Sequence, residues 1–374
     1  TQSGGMAAAL QNDVAIIGAG PAGSTLAALL ARRGVSVALI DREEFPRDKL
    51  CGEFLSYDAM PVLEPLGVVD EIDRVNAPRI ERCRVVGRHR TYEFDFPHAA
   101  RGVSRFFFDD LLRRTAIANG ARFTLERAEA KVTAGAWGRW GRFDQELNRA
   151  FIKDQSHRNF GFKRHYTANG QRPTANEIAL HSFKRGYLGV SAIEGGLTNI
   201  CGLVHATRLA HHKGRWDSFI EMLREEEPRL EELYAAHEPA QENFLSSEPV
   251  IFRARSAVEG GIFMVGDASG VIDPLTGNGM AMAIQSALLA AEHIMRVLEK
   301  PSDRVAIENE YRERHRAMFG PRIAWSRRTA KLLSRPALLD FALRGARSPA
   351  IGRFLLRKTR ATREDVARLA DRWF

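Results

Sequence analysis

Six residues near the start of the chain, Gly18-Ala19-Gly20-Pro21-Ala22-Gly23, have the types and spacing needed to cradle a diphosphate. Gly18 lets the backbone turn, Gly20 lets it approach the phosphates, and Gly23 lets a helix pack closely on a strand. Pro21 suits a first helical turn, where its missing N–H is no loss, and Ala22 falls in the same turn. The amides and partial positive charge of that helix end would face the anion. Residues 13–17, an apolar run before the motif, read as a buried parallel strand, and residues 24–33 after it read as a helix. A second apolar run, 35–40, ends in Asp41, which stands 23 positions after Gly18. A carboxylate there accepts hydrogen bonds from ribose hydroxyls and repels a 2′-phosphate, so the unit should hold a dinucleotide without one.

A second constellation lies far along the chain. Residues 262–265 read as a strand running into Gly266-Asp267-Ala268, and Asp267 at its C-terminal end could accept a hydrogen bond from a sugar-alcohol chain. Open α/β sheets place ligands at that end of their strands. The turn Gly277-Asn278-Gly279, with Met280 following, then opens a long helix through Ala290. Its amides and dipole would stabilise negative charge on the N1 and C2 carbonyl side of a reduced flavin. The two motifs together point to bound FAD.

The stretch from Asp41 and Arg42 through Lys49, Cys51, Gly52 and Glu53 resembles the segment leading from ribose to flavin ring in one large family. That family comprises FAD-dependent aromatic hydroxylases (class A flavoprotein monooxygenases), flavin-dependent halogenases and geranylgeranyl reductases. Gly102-Val103-Ser104-Arg105, with Asp109 and Leu111-Leu112, resembles its helix whose arginine contacts the cofactor, and 261–280 resembles its second FAD signature. The resemblance spans 13 to about 300 and implies that Arg42, Lys49, Cys51, Gly52 and Arg105 line the FAD site. It also implies a single-component monooxygenase: NADPH or NADH reduces the flavin, oxygen adds as a C4a-hydroperoxide, and an electron-rich small molecule is hydroxylated. Cys51-Gly52 is closest to the reductase branch, which makes reduction or dehydrogenation of carbon–carbon bonds the alternative. The Trp-x-Trp-x-Ile-Pro segment of tryptophan halogenases is absent, so a halogenase ranks lower, beside a non-enzymatic flavoprotein or carrier-docking module. Candidates for acid–base work are Cys51, Glu53, His165 and His181, with Asp273 fixing a loop. In this family a strand pair and a further dinucleotide-contacting motif separate the Asp109 helix from the segment 132–141, and residues 122–131 are too few for them. Either that element has been lost or a segment is missing from the numbering; the second is favoured, with a break in the chain expected near Ala130 and Lys131.

These elements imply an α/β protein in which a Rossmann-like FAD-binding domain is interleaved with a β-sheet substrate domain, followed by C-terminal helices. The FAD-binding parts are 6–78, 99–150 and 246–319; the substrate domain is 79–98 and 151–245; a basic helical region occupies 320–374. Strands are expected at 160–166, 177–183, 187–193 and 197–205, a further pair at 79–96, and one helix at 216–236.

The 374 residues can bury a large core, and their composition is that of a soluble protein. The net charge is +9, while 320–374 alone holds fourteen Lys or Arg against four Asp or Glu, so the whole excess lies there. Apolar residues at helical spacing, with breaks at Pro336 and Pro349, make this region a set of short amphipathic helices. It either covers the body of the protein or docks on an acidic carrier protein or a membrane surface; no nucleic-acid motif accompanies the charge. Three scattered cysteines suit neither a disulfide framework nor a metal site and fit a reducing cytoplasm. The longest apolar stretch, 279–295, is interrupted by Gln285, Ser286, Glu292 and His293, and residues 1–5 ahead of Met6 read as a remnant with no secretory signal.

Overall fold

The computed structural model describes residues 12–153, 159–169, 176–212, 215–346 and 348–374, so the reading of residues 1–5 and Met6 lies outside the described part. Two sheets carry the architecture. The first has six strands in the order Val258–Glu259, Ile262–Met264, Ala130–Gly135, Asn12–Ile17, Val37–Ile40 and Arg122–Thr124. All neighbours run parallel except the first pair. Parallel sheets are covered on both faces, which is why 14–17 and 37–40 are continuous apolar runs rather than alternating ones. Helix Pro21–Arg32 is buried from Pro21 to Ala31 because helices Arg105–Ala118 and Gly279–Glu299 both pack on it. Gly279–Glu299 is long and apolar enough to cross a membrane, yet most of it is buried inside the molecule as a core helix.

The second sheet runs His237–Pro239, Asn159–Ala168, Thr198–His205, Gly186–Ala192, Glu177–Phe183, Arg79–Val86, Thr91–Gly102, Phe54–Leu55, with Leu245–Ser246 also pairing on Asn159–Ala168. Its only parallel neighbours among these are Arg79–Val86 and Glu177–Phe183. Side chains alternate between two faces. Phe162, Tyr166, Leu188, Val190, Ile200 and Val204 form the outer face and pack on Phe219, Leu223 and Leu230 of two helices. The inner face, with Lys163, His165, Tyr187 and Leu203, turns towards the cofactor domain and the C-terminal helices.

Two expectations are corrected. The helix at 216–236 is two helices, Trp216–Glu226 and Pro228–Ala235, because Glu227 is extended (φ −129°, ψ 99°) ahead of Pro228. A residue before proline is pushed out of the α region, and this one breaks the run. The chain is also continuous at Ala130–Lys131, since both belong to strand Ala130–Gly135 and Ala130 pairs with Asn12. The turn lies earlier, in the five residues 125–129 that join strand Arg122–Thr124 to it; Ala130 reads as helical only by composition.

The tail forms helices Arg304–Leu333, Pro336–Gly345, Pro349–Thr359 and Arg363–Ala370. The first is a single 30-residue helix with Pro321 inside it, so no boundary falls at 320. Val366, Ala370 and Trp373 enter the main core around Leu26, Leu29 and Leu30. Arg33 lies over the Trp373 ring at 5.4 Å.

Candidate FAD site and the buried array beside it

At the diphosphate end the glycines have distinct steric reasons. Gly18 has φ +111°, and a Cβ there would sit 2.3 Å from the Ala136 carbonyl oxygen; one on Gly23 would sit 1.8 Å from the Gly18 carbonyl oxygen. Gly20 differs. It is in an ordinary extended conformation, a Cβ there would meet nothing closer than Nη2 of Arg105 at 3.8 Å, and the helix it caps has no side-chain cap. Open space, uncapped amides and a guanidinium within reach are what a diphosphate requires.

Asp41 is buried at the end of its strand. Its Oδ2 accepts from Ala19 N at 2.8 Å, and its Oδ1 accepts from Arg42 N at 2.8 Å and from Arg47 Nη2 at 2.8 Å. The Arg42 side chain points to solvent and pairs with Glu43, so only its backbone serves Asp41. Arg47, stacked 4.4 Å over Phe45, is the side chain on the carboxylate, and no spacing rule in the sequence marked it. Lys49 Nζ lies 3.8 Å from Glu43.

The flavin end is built from three stretches. Arg105 makes a two-pronged ion pair with Asp109, at 2.5 and 2.7 Å, on the helix that Ser104 caps. Gly266 has φ +60° and sits against Ala22, which brings the two motifs into contact. Burial raises the pKa of Asp267 although Arg139, Arg255 and Arg105 oppose it, and among the described residues its carboxylate has no hydrogen-bond donor. A half-buried carboxylate at a strand end with no donor among those residues fits a hydroxyl-bearing ligand. Gly277, at φ +60°, packs on Phe54. Asn278 turns inward, with Nδ2 at 3.1 Å from both oxygens of buried Asp58 and its Oδ1 buried without a donor among the described residues, and the Met280 side chain joins the core, so Met280 can serve a ligand only through its main chain. These residues together fit FAD.

Between the two domains lies an ionic array. Glu53, fully buried and at φ +54°, has Oε1 2.6 Å from Lys163 Nζ and 2.9 Å from Arg105 N, and Oε2 2.7 Å from His165 Nε2. Burial pushes its pKa up, but the His165 hydrogen bond and the Lys163 charge outweigh it and hold the carboxyl below its usual value. Asp48, Glu53 and His165 offer ligand atoms within 4.8 Å of one another, as a metal would need, but Lys163 already supplies the cation there. Lys163 Nζ also donates to Lys49 O at 3.2 Å, Asn199 Nδ2 donates to Cys51 O at 3.0 Å, and Ser191 Oγ donates to Gly52 O at 3.4 Å. The inner face of the sheet thus grips the 49–53 loop by its main chain and its one buried acid.

The structure therefore brings together Cys51, Gly52, Glu53 and His165 with Lys163, which the sequence reading missed. His181 is not among them. It pairs with Leu188, whose side chain packs on the outer helices, so His181 faces away from the cofactor domain. There it lines a cavity of about 230 Å³ with Arg88, Glu227 and Arg229. Burial, then Arg84 and Arg229, lower its pKa to about 4.

Asp273 hydrogen-bonds the hydroxyl of Tyr187 and accepts from Leu275 N at 3.1 Å. Burial raises its pKa to about 6 even though those two bonds oppose it. An acid with a raised folded-state pKa stabilises the fold below its unfolded value and loses that contribution as pH rises through about 6. Asp273→Asn should therefore flatten the decline in melting temperature between pH 4 and 7, with a stability difference of about 2–3 kcal/mol at the upper end. Parallel thermal unfolding curves of the two proteins across that range would contradict it.

Residues 11–91 match the family described as FAD binding domain. Menaquinone reductase of Mycolicibacterium smegmatis is 36% identical over 132 residues, 34% of this chain and 32% of the relative. Tryptophan 2-halogenase of Chondromyces crocatus is 24% identical over 348 residues, 82% of this chain and 65% of the relative. The chain thus spans about a third of the first relative's length and just under two thirds of the second's. A geranylgeranyl bacteriochlorophyll reductase-like protein from Thermoplasma acidophilum shares the fold, with a TM-score of 0.76 at 19% identity over 97% of this chain and 99% of that one. Flavin-dependent halogenases and a protein of Pseudomonas aeruginosa described as a probable FAD-dependent monooxygenase share it too. The fold is the two-domain fold of these halogenases and reductases, its first part matches an FAD binding domain, and the resemblance read from the motifs is to the same group of proteins.

Proposed function

We propose that this chain is an FAD-dependent monooxygenase that draws electrons from NADPH or NADH and hydroxylates an electron-rich small molecule held beside the 49–53 loop, next to the array. The observation that carries this reading is the Glu53–Lys163–His165 array, sealed from water against the loop that leads to the flavin. Bound FAD supplies the redox chemistry, and the protein supplies orientation, electrostatics and water exclusion. Gly20, the helix after it and Arg105 hold the diphosphate; Asp41 holds the ribose; Asp267 takes a hydroxyl of the sugar-alcohol chain. Lys163 keeps Glu53 ionised, and Glu53 fixes the His165 ring through Nε2, which leaves Nδ1 as the other proton site. A hydroxyaromatic ring is more electron-rich once its proton is taken, and His165 backed by a carboxylate is suited to take it.

One observation favours a second reading, reduction of a carbon–carbon double bond. Cys51-Gly52 resembles the reductase pattern, in line with the 36% identity to a menaquinone reductase over about a third of the chain. The array would then deliver a proton instead of removing one. Turnover of a phenol and alkene panel under isotopically labelled dioxygen separates the two. Heavy oxygen in the product is the expected result, whereas oxygen-independent gain of hydrogen by an alkene would replace this reading with the second. The three cysteines are unpaired, which supports a reducing, cytoplasmic setting.

A further inference from the structure

Four of the nine exposed large apolar side chains among the described residues, Leu338, Phe341, Ile351 and Phe354, fall within two consecutive helices, Pro336–Gly345 and Pro349–Thr359. Each helix rests on the protein by other residues: Leu339 and Asp340 in the first, Gly352, Leu356 and Thr359 in the second. Phe341, 69% exposed, is nearly as open as it would be in an unfolded chain, a poor place for a phenylalanine that meets only water.

The charges on the same stretch are one-sided. Residues 335–359 contain six Arg or Lys and one acid, Asp340, which is buried and accepts from the His89 and Arg90 amides. Among the described residues, Arg335, Arg344, Arg353 and Arg357 have no carboxylate partner, although elsewhere on the surface arginines pair repeatedly with acids, as at Arg363–Glu64 and Arg368–Asp365. Lys358 lies over the rings of Trp325 and Phe354. Leucine, isoleucine and phenylalanine tips set among unpaired guanidinium groups match the boundary between anionic headgroups and acyl chains. A second copy of the chain is a poor occupant, because apposing two such faces would bring unpaired cations together.

We infer that the outer faces of helices Pro336–Gly345 and Pro349–Thr359 form a docking surface for an anionic lipid bilayer. The arrangement is independent of the reaction and holds for hydroxylation or reduction alike. The test is flotation of the FAD-loaded protein with vesicles of phosphatidylcholine alone and of phosphatidylcholine containing phosphatidylglycerol. Partitioning at least about tenfold stronger onto the anionic vesicles, and weakened by salt, is expected. Leu338→Ser with Phe341→Ser, and separately Arg344→Glu with Arg353→Glu, should each remove most of it while melting temperature and flavin content stay unchanged. Equal partitioning onto both vesicle types, or partitioning that neither variant reduces, would overturn the inference. So would failure to float combined with binding to an acidic carrier protein, or a dimer that the Leu338/Phe341 variant dissociates.

Discussion

Lys163→Met is expected to destabilise the fold by about 3–5 kcal/mol in denaturant unfolding at neutral pH, as removal of one partner of a buried pair does. Lys163 and Glu53 are both fully buried, at 2.6 Å, and the substitution leaves the carboxylate with His165 and one backbone amide. With the ammonium gone, the charge and hydrogen bond of Lys163 no longer oppose burial, and the Glu53 pKa rises from its wild-type position. The sign of the pH effect follows. In the wild type the lowered pKa contributes stability above the ordinary carboxylate value that is lost as pH falls through the folded one; in the variant the penalty shrinks on acidification, as Glu53 becomes neutral. Adding Glu53→Gln to Lys163→Met should recover most of the loss, because no unpaired charge then remains buried. Equal stabilities for the single and double variants would show that the lysine acts by packing alone.

The second large effect separates two glycines of one motif. Gly20→Ala should fold normally and lose FAD affinity by about 10- to 100-fold, roughly 1.4–2.8 kcal/mol. Its conformation accepts an alanine and the nearest atom lies 3.8 Å from the new Cβ, so the methyl group obstructs only what approaches from outside. Gly23→Ala should instead compromise folding, since its Cβ would overlap the Gly18 carbonyl oxygen at 1.8 Å. Flavin titration by fluorescence quenching, read beside the melting temperature, tests both. A Gly20→Ala protein that binds FAD as tightly as the wild type would remove the diphosphate from that site.

The cofactor-binding half was legible because its constraints are local. A glycine that must turn, a proline at a helix start and an acid at a strand end each leave a mark within a few residues, and the strand–turn–helix order confirms them. The array was half legible: Glu53 and His165 drew notice as titratable residues, but nothing near Lys163 in sequence foretells a partner 110 positions away. Strand alternation could have found it, because Lys163 and His165 share a face opposite to Phe162 and Tyr166. The same rule applied to register, not to sequence alone, sends His181 to the other face. Asp58 was invisible for a related reason, since its role is set by burial against the distant Asn278 and Gln285. The break expected at Ala130 came from expecting the family's usual insertion where a five-residue turn suffices.

Trp373 and Val366 sit in the same core as the first helix, so the domain that holds the nucleotide is closed by residues synthesised more than three hundred positions after it begins. Contacts of such long sequence separation form slowly. On the ribosome the core to which the glycine-rich turn belongs stays incomplete until Val366 and Trp373 emerge. The biosynthetic intermediate is therefore the state most exposed to aggregation and most dependent on chaperones.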